Sequence, residues 1–253
     1  MNYKSKILPI DPYVMGLILT KGLILEKDLY ENKIQINLSL DDIKDIKLRI
    51  PYDITIKDNK CYFNIKDLNV SLREYFNNNF FSSPFISPLY LYSDTEQRLA
   101  LLRGLMDGNG NPDIKGPTLF LTEYKELYEN ILSLARSLGI KCSGKVTKSG
   151  KYKILLYPVC RIFKLRNKAQ TQYKYSTHSK NKNALIVLKT AIKSIEYSHK
   201  EWGKCVTVDS KDGLYLIGDY VVTHNCNKKG IFAYFSKMNC LYLLAETPQY
   251  LKD

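Results

Sequence analysis

The sequence predicts an α+β fold in which one arrangement of helices and hairpins is used twice. Two apolar ten-residue segments with a central glycine, at residues 13–22 and 101–110, each lie at the start of one copy. Stretches with strand-like alternation and turn residues follow both segments, and each copy ends in a further helical pattern. Helices that alternate with hairpins indicate packed layers rather than a parallel, doubly wound sheet.

The first copy begins with a predicted helix at residues 11–22. Asp58-Asn59 is typical of a hairpin turn between two strands. The other predicted elements are strands at 34–38, 53–57 and 60–65 and a helix at 68–76.

The second copy also begins with a helix and has a long helix after its first strand. Gly139 supplies the end of that helix, and Ser149-Gly150 lies in the turn between the last two strands. The predicted elements are a helix at 95–107, a strand at 118–122, a helix at 124–138, strands at 141–147 and 152–157, and a short helix at 159–165.

The composition favours a polyanionic partner. The chain has 253 residues, a net charge of +13 and a pI near 9.3, which is typical of nucleic-acid-binding proteins, although a Lys-rich surface without a partner gives the same charge. The apolar runs are too short to span a membrane, and the chain start lacks a signal-peptide core. No C-x-x-C pair and no metal-site spacing of histidines occur, so we expect free thiols in the reducing cytoplasm.

The two apolar segments read YVMGLILTKG and LLRGLMDGNG. Gly16 and Gly104 lie in the middle of these helices, where glycine costs about 1 kcal/mol relative to alanine, so a close helix–helix contact is the expected reason for them. The pair resembles the LAGLIDADG (DOD-type) homing endonucleases, and the resemblance covers residues 9–166. One such segment alone would indicate only a buried apolar helix, whereas two segments with matching strands and helices favour the resemblance.

The resemblance implies a metal centre whose two ligands are missing here. In this family the residue before the last glycine of each segment is an acid that binds a divalent metal between the DNA strands. Lys21 and Asn109 occupy these positions, and a lysine ammonium cannot bind Mg²⁺. We therefore expect no double-strand cleavage, a need for Mg²⁺ only if endonuclease activity survives, and a structural role for Asp107. Rescue of cleavage by Asp107 or Asp94 is the alternative.

DNA binding does not require the missing acids. The family places its two strand layers on the DNA major groove, and basic side chains at phosphates supply much of the affinity. The predicted contacts to double-stranded DNA lie on and after the second hairpin, at Lys141, Lys145, Lys148, Lys151, Lys153, Arg161, Lys164 and Arg166. Each one alone is more typical of a solvated surface residue. Because both copies lie in one chain, a monomer is expected.

The C-terminal part resembles a different family. Residues 204–226, KCVTVDSKDGLYLIGDYVVTHNC, are similar to the last two blocks of an intein, which is a Hint-type splicing domain. The resemblance implies that Cys226 attacks an upstream (thio)ester, that Asn225 cyclises and cuts its own peptide bond, and that His224 assists this cleavage. No cofactor is expected for splicing. An ordinary turn at His224-Asn225 is the alternative.

Two positions depart from the usual intein pattern. Gly213 stands where a histidine is common, and Cys205 stands where an aspartate is common, so altered rates are expected. The N-terminal splicing blocks do not precede the first helix, and an N-terminal intein half acting in trans is therefore an expected partner, unless the sequence is a fragment. Residues 226–253 would begin the C-extein, and their apolar runs at 232–235 and 241–244 suggest a buried helix.

These observations predict four parts. The parts are an endonuclease-like domain at 7–166, a linker at 167–202, the C-terminal splicing segment at 203–225 and the C-extein start at 226–253. The predicted function is protein splicing by the C-terminal part of an intein that carries a DNA-binding but cleavage-inactive endonuclease domain. The alternative is a sequence-specific DNA-binding protein or an active LAGLIDADG endonuclease with a relic splice motif.

Overall fold

The computed structural model divides the chain into two compact units, Met1–Leu188 and Lys189–Asp253, which are described separately. In the first unit the structure describes residues 3–23, 32–58, 60–65, 83–113, 117–158 and 160–178. In the second it describes residues 196–197, 208–209, 213–218, 220–224, 231–235 and 241–245.

The first copy of the pattern forms a four-stranded antiparallel sheet with helices on one side. The Asp11 carboxylate accepts hydrogen bonds from the backbone N–H groups of Tyr13 and Val14 at 2.9 and 3.1 Å and so begins the first helix. The elements are α1 (Pro12–Lys21), β1 (Gly22–Leu23), β2 (Lys33–Ile36), α2 (Leu40–Ile46), a 3-10 turn (Lys47–Arg49), β3 (Asp53–Lys57) and β4 (Lys60–Asn64).

The second copy forms a matching sheet. The Asp94 and Gln97 side chains make a capping box at the start of its long helix. Its elements are α3 (Pro88–Leu91), α4 (Thr95–Asn109), β5 (Gly110–Asn111), β6 (Thr118–Thr122), α5 (Lys125–Ser137), β7 (Lys141–Val146), β8 (Tyr152–Tyr157) and α6 (Arg166–His178). The strand order β5-β6-β8-β7 reproduces the order β1-β2-β4-β3 of the first sheet, which confirms the predicted internal repeat.

The hydrophobic core lies between the helices and one face of each sheet. Helix α1 is buried along seven consecutive residues, from Tyr13 to Leu19, because it has neighbours on all sides. Alternate strand residues such as Phe63 on β4 and Phe120 on β6 are fully buried and pack in the same core cluster as α1. The opposite faces of both sheets therefore point away from the helices.

Helices α1 and α4 touch along their backbones. A Cβ atom added to Gly16 would lie 2.6 Å from the backbone nitrogen of Leu105 and also overlap the carbonyl of Leu101. A Cβ atom added to Gly104 would lie 2.9 Å from the carbonyl carbon of Tyr13. Only glycine fits at either position, which confirms the predicted close approach of the two helices.

Several elements differ from the sequence prediction. Helices α2 and α3 and the two-residue strands β1 and β5 were not predicted. Helix α2 is capped by Ser39, whose hydroxyl accepts a hydrogen bond from the backbone N–H of Asp42 at 3.1 Å. The short helix predicted at 159–165 is wrong, because the N–H groups of Lys164 and Leu165 donate to the Asp107 carboxylate instead of to helical carbonyls. The helix predicted at 68–76 lies outside the described residues.

Helix α6 begins where the sequence analysis ends the domain. It occupies the first part of the predicted 167–202 linker, and its Gln172 side chain is buried and accepts a hydrogen bond from the Ile162 N–H at 3.1 Å. The helix is therefore packed on the preceding chain. The predicted domain boundaries themselves remain a prediction.

The second unit contains two antiparallel hairpins among its described residues. Strand β9 (Leu214–Ile217) pairs with β10 (Val221–His224). Strand β11 (Ile231–Phe235) pairs with β12 (Leu241–Ala245). The buried helix suggested for these apolar runs is wrong, because short β-branched and aromatic runs are equally compatible with strands.

Across the described residues of both units, no helix combines the length and apolarity that a membrane span requires.

Gly104→Ala is expected to destabilise the first unit. Alanine normally stabilises a helix by about 1 kcal/mol over glycine, but here the new methyl group would push two backbones apart and cost roughly 1–3 kcal/mol or more. Urea unfolding monitored by circular dichroism measures the change in the free energy of unfolding. A variant as stable as the unmodified protein would contradict the backbone contact.

Candidate DNA-binding surface and helix-end site

The C-terminal ends of α1 and α4 lie side by side. Gly16 lies against Gly104, and one helical turn further on Thr20 lies against Gly108, so the two helices run in the same direction. Their last residues are Lys21 and Asn109. The packing thus brings together the two positions that the sequence analysis assigned to the absent metal ligands.

The side chains at these ends do not suit a divalent metal. The Asn109 amide nitrogen donates to the backbone carbonyl of Leu121 at 2.6 Å, which ties the end of α4 to β6. Lys21 is half-buried and brings a positive charge to the place where a metal would lie. Among the described residues, no group of three or more His, Cys, Asp or Glu side chains is placed to hold a metal ion.

Asp107 is a structural anchor. Its carboxylate is 1% exposed and accepts hydrogen bonds from the Tyr13 hydroxyl at 2.8 Å and from the Lys164 and Leu165 N–H groups at 2.9 and 3.2 Å. Burial raises the pKa of this carboxyl, and the same hydrogen bonds lower it in part. Because its oxygens face donors inside the core, the carboxylate joins α1, α4 and the chain before α6.

Asp94 lies too far away to replace a metal ligand. It is the N-cap of α4, whereas Asn109 is the last residue of the same 15-residue helix. A helix of this length separates the two by about 20 Å. The alternative of rescued cleavage through Asp94 therefore has no geometric support.

A second lysine, Lys168, lies at the helix ends, a place that the sequence analysis did not assign to it. The Lys168 ammonium donates to the backbone carbonyl of Asp107 at 2.7 Å and lies 3.4 Å from that of Met106. Burial lowers the pKa of Lys168, and the nearby Lys21 lowers it further. Its place could not be predicted, because no local pattern shows that α6 returns to α4.

A pocket of about 320 Å³ adjoins the end of α4. Its lining includes Thr20, Asn109, Leu121, Glu123 and Lys151. The Lys151 ammonium and the Glu123 carboxylate form an exposed ion pair at 2.7 Å across its rim, which lowers the pKa of Glu123. The pocket is therefore an open cleft with neutral, acidic and basic groups rather than an acid cluster.

The five lysines predicted on the second hairpin lie on one side of the second sheet. Cys142 and Gly144 face α5, because the Cys142 thiol contacts the Leu132 carbonyl and a Cβ atom at Gly144 would overlap Tyr128. The alternation of strand side chains then places the odd-numbered residues of β7 and their partners on the outer face. These are Lys141, Lys145 and Lys153, with Lys148 and Lys151 in the turn beside them.

The other three predicted contacts also interact within the protein. The Lys164 ammonium lies 4.0 Å from the centre of the Tyr13 ring, and burial lowers its pKa. The Arg161 guanidinium donates to the Phe163 carbonyl at 2.8 Å, and Arg166 pairs with Asp45 at 3.5 Å. Arg161 and Arg166 are nevertheless exposed, so both remain accessible to a partner.

The outer face of the first sheet is polar, and sequence reasoning did not select it. Buried Phe63 and Cys61 on β4 face the core, so the residues between and beside them face outward. The exposed and half-buried side chains of this face are Lys33, Asp53, Thr55, Lys57, Lys60, Tyr62 and Asn64, whereas Gln35 on the same face is buried. The alternation of side chains along β4 indicates which residues form this face, but only when the strand partners are known.

The splice-junction residues are only partly described. His224 is the last residue of β10 and pairs with Leu214 on β9. Asn225 and Cys226 lie outside the described residues, as does Cys205, whereas Gly213 directly precedes β9 with a φ of 67°.

Comparison with known proteins bears on the second copy of the repeat and on the chain after it. Residues 86–190 match the family model described as homing endonuclease. This segment is similar to homing endonuclease domains. The matched part contains α4, the β5–β8 sheet and α6, and so includes Asp107, Asn109 and the lysine-bearing hairpin.

Solved structures show distant likenesses. Variants of the homing endonuclease I-DmoI share 14% identity over 67% of this chain and 96% of theirs, with a TM-score of 0.37. I-DmoI in complex with DNA and Ca shares 14% identity over 65% of this chain and 97% of its own, with a TM-score of 0.39. Full-length DUF199/WhiA from Thermatoga maritima shares 16% identity over 70% of this chain and 64% of its own, with a TM-score of 0.40. No curated protein matches the chain.

Asp107→Asn is expected to lower the free energy of unfolding by about 1–3 kcal/mol, because an amide N–H₂ would face buried donors and leave one of them unpaired. Glu129→Gln, an exposed charge change on α5, is the matched control and is expected to change stability by less than about 0.5 kcal/mol. Thermal and urea unfolding measure both. Equal stability of the two variants would show that Asp107 is not an anchor.

Proposed function

We propose that the first unit binds double-stranded DNA and does not cut it. The observation that carries this proposal is the convergence of Lys21 and Asn109 at the paired helix ends within a homing-endonuclease-type domain. Metal-assisted hydrolysis of a phosphodiester needs oxygen ligands for Mg²⁺ at that place. Here the end of α1 supplies the Lys21 ammonium. The end of α4 supplies the Asn109 amide, whose nitrogen already donates a hydrogen bond to the Leu121 carbonyl.

Charge supports the binding step. The outer face of the β5–β8 sheet carries lysines at Lys141, Lys145 and Lys153, and strands β6, β7 and β8 contain no acidic residue. Lysines at phosphates release counterions and provide affinity without any chemistry at the DNA. The net charge of +13 adds long-range attraction for a polyanion.

Lys21 and Lys168 suit the electrostatics of the helix ends. The C-terminal end of a helix carries a partial negative charge from unsatisfied carbonyl groups. Lys168 donates to two such carbonyls of α4, and Lys21 ends α1. These cations compensate the helix ends without a metal, and they can approach a DNA phosphate directly.

We further propose that residues 203–226 act in protein splicing. The support is the sequence block ending in His224-Asn225-Cys226 together with the β9–β10 hairpin, which ends at His224. In the proposed reaction the Asn225 side-chain nitrogen attacks its own backbone carbonyl carbon, a succinimide ring forms, and the Asn225–Cys226 peptide bond breaks. His224 gives a proton to the departing Cys226 amine. The upstream (thio)ester that Cys226 attacks is proposed to come from an N-terminal intein half.

The unmodified chain is expected to bind its DNA target with an affinity that falls as salt rises, and to leave the duplex intact with Mg²⁺ or Mn²⁺. The double variant Lys21→Asp with Asn109→Asp restores two carboxylates at the helix ends and is expected to gain metal-dependent cutting. Lys21→Gln with Asn109→Gln, which removes the charge without adding acids, is the matched control. Cutting by the unmodified chain, seen as nicks or breaks on a gel, would contradict the proposal.

Asn225→Ala is expected to abolish release of residues 226–253, because alanine has no amide nitrogen to form the imide. The measurement is mass spectrometry of the full chain mixed with a genuine N-terminal intein half. His224→Ala is expected to slow release about 10²–10⁴-fold without abolishing it. If the unmodified chain and Asn225→Ala release the segment at the same rate, or neither releases it, the splicing proposal fails.

A further inference from the structure

The outer faces of the two sheets have different chemistry. On the second sheet, Phe120 of β6 and Ile154 of β8 are paired neighbours and fully buried against the helices. Strand alternation therefore turns their neighbours outward. The outward side chains at the middle of this sheet are Leu119, Leu121 and Leu155.

These three leucines do not belong to the core. None of them is in the buried cluster or among the part-buried side chains that pack against it. Leu121 is 37% exposed, and Leu119 and Leu155 are half-buried. Leu119 and Leu155 are direct cross-strand partners, so their side chains lie about 5 Å apart and form one apolar patch with Leu121.

Cations border this apolar patch on the side of β7 and β8. Lys153 is the cross-strand partner of Leu121 and also of Lys145 on β7. Ser143 is the partner of Leu155, and Lys141 lies one step beyond it on the same face. An apolar patch beside a row of lysines, on strands without an acidic residue, suits a polyanion that presents apolar groups between its phosphates.

Resting on the DNA-binding function proposed above, we infer that this sheet reads thymine methyl groups in the major groove through Leu119, Leu121 and Leu155. The 5-methyl group of thymine is the apolar group that a base pair presents in the major groove, and contact with it distinguishes T·A from the other pairs. The lysines hold phosphates along one side of the groove, and the leucines face the base edges.

The spacing within β6 fits successive base pairs. Leu119 and Leu121 are two residues apart on a strand, which is about 7 Å. Two base-pair steps of duplex DNA span about the same distance. Leu121 lies nearer the helix ends, because its backbone carbonyl accepts a hydrogen bond from the Asn109 side chain. Leu119 lies further from the helix ends and pairs with Asn111. Thymine is thus specified at two positions separated by two steps in one half of the target.

The first sheet provides the internal contrast. Its exposed and half-buried outward positions carry Thr55, Tyr62 and Asn64, and the Asn64 amide donates to the Thr55 hydroxyl at 2.9 Å. The amide and hydroxyl groups of such side chains recognise bases by hydrogen bonds, which do not involve the thymine methyl group. The two halves of one target are therefore read by different chemistry, apolar contact in one half and hydrogen bonding in the other.

Replacement of thymine by deoxyuridine tests this inference, because it removes the methyl group and leaves base pairing unchanged. Duplexes that the full chain enriches from a random library are resynthesised with deoxyuridine in one half or the other. In the half bound by the second sheet, Kd is expected to rise about fourfold per contacted methyl. In the other half Kd stays unchanged.

Two variants assign the effect to the leucine patch. Leu121→Ala is expected to remove the deoxyuridine effect at one thymine position and to leave the salt dependence of binding as it was. Val146→Ala is the matched control, because Val146 is 59% exposed but pairs with Tyr152 on the side that faces α5, where Tyr152 stacks on Tyr128 at 5.0 Å. This control keeps the full deoxyuridine effect.

The outcomes separate the inference from the proposed function. Salt-dependent binding without a deoxyuridine effect, or with an effect that Leu121→Ala does not change, overturns methyl reading and leaves DNA binding in place. The absence of any bound duplex overturns the proposed function and the inference with it. A second copy of the chain seated on the leucine patch would appear as a Leu121-dependent dimer without a deoxyuridine effect, which also overturns the inference.

Discussion

The backbone contact between Gly16 and Gly104 is the constraint on which the rest of the first unit depends. Two helices that touch through glycines lie closer than side chains would allow, and their directions and ends are then fixed relative to each other. The contact therefore decides that Lys21 and Asn109 meet. It also sets the two sheets on either side of the helix pair, with one strand order repeated in both.

Electrostatics at the helix ends follows from this packing. Two aligned helix C-termini bring together carbonyl groups that are stabilised by cations or hydrogen-bond donors. In this chain the Lys168 ammonium, on α6, donates hydrogen bonds to carbonyl groups at the end of α4. Asp107, an acid close to the same place, is turned inward to Tyr13 and to the chain before α6. Positive charge thus faces the outside at the helix ends, and the remaining carboxylate stabilises the fold. This arrangement favours a phosphate over a divalent metal.

Much of the first unit could be predicted from the sequence because its signals are local. The caps at Asp11 and Asp94, the turn glycines and the alternation of β6 and β8 predict the helices and strands to within a few residues. Helix α2 was missed although its cap at Ser39 is a local signal, whereas the error at 159–165 was non-local. The residues at 159–165 have a helical pattern, but the N–H groups of Lys164 and Leu165 bond to Asp107, more than fifty positions earlier, instead of to helical carbonyls.

Only part of the candidate site could be predicted from the sequence. The proximity of Lys21 and Asn109 could be predicted from the two similar segments and their central glycines. The place of Lys168 at the helix ends, the contacts that Arg161, Lys164 and Arg166 make within the protein, and the contrast between the outer faces of the two sheets depend on strand pairing and on the return of α6. A sequence without its strand partners contains no signal for them.

The central claim is that the helix ends hold DNA without a metal ion. The most direct test is the number of Mn²⁺ ions that the complex of the full chain with an enriched DNA duplex binds. Mn²⁺ is titrated into the complex, and electron paramagnetic resonance measures the free ion. The account predicts no Mn²⁺ bound by the complex beyond the sum of the weak binding to free DNA and free protein. One or more tightly bound Mn²⁺ ions per complex, lost in Asn109→Ala, would contradict it.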